Sequence, residues 1–250
     1  MKRTLPFIII ITVLVAAVGA GWFLTRPPKP TTTIVMPTPP SSASSSTPGS
    51  YSTAGPNAPT QPAALTGVPG AEPAHTLGSP NARVQLEEFG DFQCPPCAMF
   101  HPVLKQMHQE FGDKILITFR NYPLVPPHNN AVPAASAAEA AGLQGKAKFW
   151  EMHALIYESQ DKWKNLPDVR PLFESYAQQI GLDVERFKRD MSGEPVAQRI
   201  FLDGKRGRSL GVRGTPTVFL NGRELPFESI IVAEKLRVVI EKELSDTAAR

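Results

Sequence analysis

The two cysteines of the chain, Cys94 and Cys97, lie three residues apart in the sequence. They follow an apolar segment, 83–89, whose pattern predicts a β-strand, and they precede a segment, 98–111, whose pattern predicts an α-helix. The start of a helix stabilises an anionic thiolate through its dipole and its free backbone N–H groups. A cysteine pair at such a junction is therefore a candidate for redox chemistry.

The two prolines between the cysteines, Pro95 and Pro96, suit the first turn of the predicted helix. Proline is tolerated there, because the first N–H groups of a helix have no helical partner. We expect Cys94 to cap the helix and the backbone N–H of Cys97 to point at its sulfur, which favours the thiolate of Cys94. Cys94 is thus the predicted exposed, attacking sulfur, and Cys97 is the predicted shielded, resolving sulfur.

A metal centre is the main alternative for a Cys-x-x-Cys motif. Tetrahedral zinc needs four ligands, and the only nearby candidate beyond the two cysteines is His101. A role in carrying copper is also disfavoured, because the prolines and the expected burial of Cys97 hinder the approach of further ligands. His128 and His153 are expected at the surface or at helix caps, so the sequence predicts no metal site.

The amino terminus predicts a membrane segment over residues 1–25. Lys2 and Arg3 precede an uncharged, mostly apolar run of about 18 residues, whose helical length of about 27 Å is close to the roughly 30 Å of the bilayer core. The two basic residues favour a cytoplasmic amino terminus. A cleaved signal peptide is the alternative, because the small residues at 18–20 (Val-Gly-Ala) suit cleavage. In both cases the chain after Thr25 lies outside the cytoplasm, where disulfides form and persist.

The composition of the chain then changes twice. Residues 26–75 are rich in Pro, Ser, Thr, Ala and Gly and have almost no apolar periodicity, which predicts a disordered tether. Residues 76–245 have the apolar patterns of a globular domain, and residues 246–250 are expected to form a short tail. The formal net charge of +3 is too small to indicate nucleic-acid binding.

The globular domain has the pattern of an α/β fold with a mixed central sheet, flanked by helices and interrupted by an inserted helical sub-domain between strands. Residues 77–81 are expected to form a turn before the first strand. The elements predicted after the cysteine pair are a strand (114–120), five helices between about 128 and 211, two strands (214–220 and 223–227) joined by an Asn221-Gly222 turn, and a helix (229–244).

Three stretches of this domain carry a family resemblance. They are the segment that ends in the cysteines (88–97, Glu-Phe-Gly-Asp-Phe-Gln-Cys-Pro-Pro-Cys), Arg-Asn-Tyr-Pro-Leu at 120–124, and Gly-Val-Arg-Gly-Thr-Pro-Thr at 211–217. With these stretches the chain resembles the DsbA-like thiol–disulfide oxidoreductases of the thioredoxin superfamily, over about residues 76–244. The resemblance implies a thioredoxin fold with a helical insertion.

The resemblance also implies roles for individual residues. Pro216 looks like the family's cis-proline, placed beside the cysteine pair, and the backbone of Thr215 would pair with an extended substrate segment. Glu88 occupies the place of the family's buried acid, which exchanges a proton with Cys97. The implied catalytic residues are Cys94, Cys97 and Glu88, and the residues expected to contact substrate are Thr215, Pro216, Pro95 and Pro96.

The predicted function is a membrane-tethered enzyme that introduces disulfides into exported proteins, on the periplasmic or outer side of a bacterial cell membrane. It needs no cofactor beyond its own redox-active disulfide, Cys94–Cys97. The implied partners are exported proteins with free thiols and a membrane redox partner that re-oxidises the pair. Two alternatives stay open: a disulfide reductase or isomerase with the same site, and a non-catalytic chaperone or peptide-binding module. The absence of Trp directly before Cys94 counts against the reductase branch.

Overall fold

The computed structural model describes residues 68–248. The predicted membrane segment, 1–25, and most of the predicted tether, 26–75, lie outside the described residues. Within the described part of the chain, no helix is long and apolar enough to cross a membrane.

A five-stranded mixed sheet forms the centre of the fold. Its strands are β1 (His75–Gly78), β2 (Val84–Gly90), β3 (Ile115–Asn121), β4 (Thr217–Leu220) and β5 (Arg223–Glu224). They lie in the order β1-β3-β2-β4-β5, so β2 is the central strand. β2 and β3 run parallel, and the other neighbouring pairs are antiparallel. This is the mixed sheet that the sequence predicts.

Helices connect and cover the strands. The first, α1 (Pro95–Phe111), joins β2 to β3 and is the crossover that two parallel strands need. Six helices between β3 and β4 form the inserted sub-domain: α2 (Ala131–Gly142), α3 (Lys146–Glu158), α4 (Gln160–Trp163), α5 (Arg170–Gln179), α6 (Val184–Met191) and α7 (Glu194–Ser209). After β5 come α8 (Phe227–Ile230) and α9 (Ala233–Ala248).

Hydrophobic clusters hold helices to both faces of the sheet. On one face, Leu86 and Ile117 pack in a cluster with side chains of α1 and α9. Further along the same face, Phe119 packs in a second cluster with the inserted helices, where the alanines of α2 let neighbouring helices approach closely. On the opposite face, Phe89 and Phe219 pack with residues that follow α7. The cysteine-bearing end of α1 therefore lies between the sheet and the insertion.

The domain begins earlier in the sequence than predicted, because it includes the strand β1. The predicted boundary between tether and domain, at residue 75, comes too late, because His75–Gly78 pairs with β3 and Ala71 is already buried. The backbone N–H of Ala71 donates a hydrogen bond of 2.8 Å to Oδ1 of Asp203 on α7. β1 was not predictable as a strand, because it is a four-residue edge strand with one large apolar side chain, Leu77.

Smaller differences concern the ends of other elements. The short helix α4 makes six inserted helices instead of the expected five. β4 begins at Thr217, because Pro216 has no N–H to donate to a neighbouring strand. The predicted closing helix is divided into α8 and α9, and α9 extends into the predicted tail, 246–250. Arg83 stabilises this extension by donating to the backbone carbonyl of Thr247 (2.8 Å).

Candidate active site

Cys94 is the N-cap residue of α1, and Pro95 and Pro96 occupy the first two helical positions, as the sequence predicts. The Cys94 carbonyl accepts hydrogen bonds from the backbone N–H groups of Cys97 (3.1 Å) and Ala98 (3.2 Å), which begin the helix. Both cysteines are free thiols. Cys94 is only 5% exposed, so the prediction that its sulfur is exposed is wrong, because Thr215 lies against it with its carbonyl 3.2 Å from the Sγ. Cys97 is fully buried, so Cys94 is still the more accessible of the two sulfurs.

The loop before β4 forms the other half of the site. When Cys94 is protonated, its Sγ donates a hydrogen bond of 3.2 Å to the backbone carbonyl of Thr215. The peptide bond between Thr215 and Pro216 is cis, as the resemblance implies. The loop is closed by the hydroxyl of Thr217, which donates to the carbonyl of Gly214 (2.9 Å). Residues from distant parts of the sequence thus meet at the sulfur of Cys94.

The two thiols differ in acidity. A hydrogen bond with the thiol of Cys97 is the largest of the effects that lower the pKa of Cys94 to about 6, and the backbone N–H of Cys97 adds to it. Burial raises the pKa of Cys97 well above its ordinary value, and the proximity of Cys94 raises it further. At neutral pH, Cys94 is therefore mostly a thiolate, and Cys97 keeps its proton.

Glu88 is a buried acid on the central strand. It lies opposite Phe119 of β3 and Val218 of β4 in the registers of the sheet, and it is 2% exposed. Burial raises its pKa from 4.5 to about 8, so the carboxyl holds a proton at neutral pH. A negative charge on Glu88 would raise the pKa of Cys97, which means that the two groups lie within electrostatic reach. Glu88 is therefore equipped to exchange a proton with the buried thiol.

Asp91 organises the turn between β2 and the cysteines, and its role was missed from the sequence. Its buried carboxylate accepts hydrogen bonds from the backbone N–H groups of Gln93 (2.7 Å) and Leu124 (2.9 Å) and lies 2.7 Å from Nδ1 of His128. Its carbonyl accepts from the N–H of Cys94 (3.1 Å). The sequence could have indicated this role, because an Asp at the start of a turn commonly accepts a hydrogen bond from the backbone two residues later.

The Arg-Asn-Tyr-Pro-Leu stretch at 120–124, which contributes to the family resemblance, has a structural role. Arg120 donates to Glu87 (2.9 Å) and to Asp203 (3.2 Å), and the side chain of Asn121 donates to Glu139 (2.7 Å). Asp203 belongs to α7 and Glu139 to α2, and both are buried. These contacts hold the inserted helices to the sheet and so fix their position relative to the cysteines.

The expectation that His153 lies at the surface is wrong. It is 2% exposed, and burial lowers its pKa well below the ordinary value. Its ring packs against those of His101 and Tyr157, at centroid distances of 5.3 Å and 4.9 Å. The signal was present, because His153 follows Phe149 by one helical turn on the apolar face of α3. Within residues 68–248, no three His, Cys, Asp or Glu side chains are arranged to hold a metal ion.

Comparisons with known proteins give consistent matches to this fold. The family model described as Thioredoxin matches residues 71–242. The chain is 32% identical over 152 residues to the probable disulfide bond formation protein D of Bacillus cereus, a match that covers 59% of this chain and 69% of that protein. It also resembles the crystal structure of oxidised BdbD from Bacillus subtilis, with a TM-score of 0.63 and 24% identity, over 73% of this chain and 98% of that one.

A different kind of relative shares the same region. The Na(+)/H(+) antiporter NhaA 1 of Mycolicibacterium gilvum is 35% identical over 153 residues, which are 60% of this chain and 23% of the antiporter. The chain thus spans less than a third of the length of this relative. Together, the matches confirm the thioredoxin fold and the resemblance to the DsbA-like thiol–disulfide oxidoreductases.

Proposed function

The chain belongs to the thioredoxin family, among its DsbA-like thiol–disulfide oxidoreductases, and on that premise we propose that it introduces disulfides into proteins outside the cytoplasm. The observation that carries the proposal is the unequal acidity of the two thiols, with the pKa of Cys94 lowered to about 6 and that of Cys97 raised. A stabilised thiolate favours the reduced form of the pair, and this makes the oxidised form a stronger oxidant.

The reaction begins from the oxidised pair. A substrate thiolate attacks the Sγ of Cys94, so the bond between Cys94 and Cys97 breaks as a mixed disulfide forms. The sulfur of Cys97 leaves as a thiolate and takes a proton from Glu88, which is protonated at neutral pH because its pKa is about 8. The buried thiolate is thereby neutralised next to the group that supplied the proton.

The second exchange releases the product. A second thiolate of the substrate attacks the substrate sulfur of the mixed disulfide, and Cys94 leaves as a thiolate. A thiol of low pKa is a good leaving group, so the acidity of Cys94 speeds this step. Two electrons pass from the substrate dithiol to the pair, which ends with a Cys94 thiolate and a Cys97 thiol.

The loop of Thr215 and Pro216 is the proposed docking site for the substrate segment. When Cys94 is a protonated thiol, the Thr215 carbonyl accepts its hydrogen bond. A disulfide-bonded Cys94 has no proton to donate, so this carbonyl is then free to accept an N–H from an extended chain. Pro95 and Pro96, in the first turn of α1, are the proposed contacts on the other side of the sulfur.

The cellular setting is part of the proposal. The apolar run within residues 1–25 supports a membrane segment, and the Pro- and Ser-rich residues that follow support a tether. Exported proteins with free thiols are the proposed substrates, and a membrane redox protein is the proposed acceptor of the electrons. The name of the Bacillus cereus relative, a probable disulfide bond formation protein, supports the oxidising direction.

The direction of electron flow is tested by the reduction potential of the pair, measured at equilibrium with glutathione. We expect a value well above the roughly −270 mV of thioredoxin. A potential near that of thioredoxin would contradict the oxidising direction and support the reductase alternative.

Oxidative refolding of a reduced substrate protein tests the roles of the cysteines. Cys94→Ala is expected to abolish the activity, and full activity of this variant would contradict the mechanism. Cys97→Ala is expected to accumulate a mixed disulfide at Cys94, because the resolving thiol is absent. If the double variant with serine at both positions still replaced the wild-type protein in a deletion strain, the non-catalytic peptide-binding alternative would be supported.

A further inference from the structure

Three side chains of α1 and α3 have buried polar atoms without a protein hydrogen-bond partner. They are His101, His153 and Tyr157, which we call the His–Tyr cluster. Nε2 of each histidine and the hydroxyl of Tyr157 are the unpaired atoms. The three rings are mutual neighbours, with centroid distances between 4.9 Å and 5.3 Å. An unsatisfied buried polar group costs about 1–3 kcal/mol, so three in one place indicate a purpose beyond packing.

The inner end of the cluster lies on the face of the sheet that carries the buried acid. Glu88 and Phe119 are partners in the parallel register of β2 and β3, so their side chains lie on the same face of the sheet. The ring of Phe119 lies 4.7 Å from that of His153 and 6.5 Å from that of Tyr157. Cys97 belongs to the same hydrophobic cluster as Phe119 and Tyr157. The His–Tyr cluster thus lies on the same side of the sheet as the two groups that are proposed to exchange a proton.

The outer end of the cluster reaches the surface. Nε2 of His101 lies 3.8 Å from Oε1 of Glu158, whose side chain is half exposed. The same oxygen accepts a hydrogen bond of 2.9 Å from Lys105. Glu158 is the residue after Tyr157 on α3, so the helix carries one member inward and its neighbour outward. Polar groups are therefore present both on the side of the sheet that carries the buried acid and, through Glu158, at the surface.

The chemistry of these groups suits proton transfer. A neutral imidazole and a phenol each donate one hydrogen bond and accept another, so each can receive a proton on one side and release one on the other. Burial lowers the pKa of His101 and His153 and raises that of Tyr157, so all three are neutral at neutral pH. Ordered water bridges buried polar groups where two to four of them converge, and this cluster offers three.

We propose that the His–Tyr cluster, together with bridging water molecules, relays protons between Glu88 and solvent. This inference rests on the proposed function, because the relay has a purpose only if Cys97 gains and loses a proton. When Glu88 gives its proton to the leaving thiolate of Cys97, its carboxylate takes one from Tyr157 through water. Tyr157 is reprotonated from His101, and His101 from solvent beside Glu158. The net change is one proton moved from solvent to Cys97, and re-oxidation moves it back.

The proposed relay passes among several other titratable groups. The pKa of Tyr157 is influenced by the charges of both cysteines, Glu88 and Asp91. His101 feels those of Glu158 and Lys105. His153 is influenced by the charges of His101 and His75. None of the substitutions below removes one of the groups outside the cluster.

The test compares two tyrosine-to-phenylalanine variants. Tyr157→Phe removes the hydroxyl and keeps the ring. Tyr176→Phe is the matched control, because this tyrosine is also largely buried in the insertion but its hydroxyl is satisfied by Ser159 at 2.7 Å. The oxidised proteins are mixed with excess reduced glutathione, and the rate of reduction is followed by stopped-flow fluorescence in H₂O and in D₂O, with and without imidazole buffer.

We expect Tyr157→Phe to slow reduction about tenfold at neutral pH, below the 10²–10⁴ typical of a direct acid or base, because water still offers a slower path. Imidazole buffer should restore part of the rate, and the reduction potential should stay unchanged, since a relay speeds both directions equally. Tyr176→Phe should match the wild type in every measurement. His101→Gln, which keeps a polar side chain but cannot pass a proton on, should behave as Tyr157→Phe does.

Two results would overturn the relay. One is wild-type rates for both Tyr157→Phe and His101→Gln in H₂O and D₂O. The other is a shift of the reduction potential that accounts for the change in rate, since this would mean that the cluster only tunes the stability of the thiols. Both outcomes leave exchange by the wild-type protein intact. Failure of the proposed function would be seen separately, as a wild-type protein that does not exchange with glutathione.

Discussion

Replacing Glu88 by glutamine is expected to stabilise the folded protein and to slow its thiol exchange. Burial raises the pKa of Glu88 from 4.5 to about 8. Between these values the folded protein holds a proton that the unfolded chain has lost, so stability falls as pH rises through this window. One pKa unit corresponds to about 1.4 kcal/mol, so the wild type at pH 7 has lost about 3 kcal/mol relative to pH 4. Glutamine is neutral at every pH and avoids this loss.

Urea denaturation between pH 4 and pH 8 measures the effect. Both proteins should carry serine at Cys94 and Cys97, so that thiol titration does not contribute. The variant Glu88→Gln should match the parent near pH 4 and exceed it by about 3 kcal/mol at pH 7. The reasoning that burial raises the pKa of Glu88 would be refuted if the difference in unfolding free energy did not change with pH. It would also be refuted if the variant were less stable than the parent at pH 7.

Glu87, the residue before Glu88, provides a comparison in which the same substitution should have the opposite effect on stability. Glu87 points to the other face of the sheet, where it pairs with Arg120 (2.9 Å) and Arg206 (2.7 Å). Glu87→Gln should therefore destabilise the protein at pH 7, because Arg120 and Arg206 each lose a carboxylate partner. With the cysteines present, Glu88→Gln should also slow thiol exchange, whereas the effect of Glu87→Gln should be confined to stability.

Three further predictions follow from contacts around the site. Alkylation of Cys94 by iodoacetamide should titrate with a midpoint near its pKa of about 6, and the midpoint should rise in Cys97→Ala, because the hydrogen bond from that thiol is lost. Asp91→Ala should lower the free energy of unfolding by about 3 kcal/mol in urea, because two partly buried backbone N–H groups lose their buried acceptor. Gly207→Ala should cost about 1–3 kcal/mol in the same assay, because the added methyl would lie 2.6 Å from the ring of Tyr122.

Each of these predictions has a comparison that can contradict it. An alkylation midpoint near the ordinary thiol value of about 8.5 would show that Cys94 is not activated. Asp183→Ala, which removes an exposed helix cap, should cost only about 1 kcal/mol, and an equal loss for Asp91→Ala would argue against the buried acceptor. The methyl group added by Gly204→Ala on the same helix would contact only the end of the Arg208 side chain. This substitution should therefore change the free energy of unfolding very little.

Local signals in the sequence were sufficient for much of the fold. The turn at Asn221-Gly222 is an example, because both residues have positive φ, at 46° and 85°, as the favoured two-residue hairpin turn requires. The strands β2 and β3 were predictable from their apolar runs, and the cysteine pair from its place between strand and helix. In these cases the deciding interactions lie within a few residues of one another.

The features that were missed depend on partners far along the chain. His75 in β1 lies 2.9 Å from Glu139 and stacks on Phe149, and neither contact leaves a local pattern. His153 was assigned to the surface from its residue type, although its position on α3 is on the apolar face. A polar side chain on an apolar stripe is buried or exposed according to what packs on it, and this is decided by tertiary structure.

The placement of the insertion affects when the protein becomes reactive. Cys94 and Thr215 are separated by 121 positions, and β4 completes the site only by pairing with β2. A growing chain therefore presents its cysteines long before the loop that contacts them has been made. Until β4 docks, the cysteines lack the burial and the hydrogen-bonded setting that separate their acidities. Incomplete chains should thus behave as ordinary dithiols, and oxidising power should appear together with the finished fold.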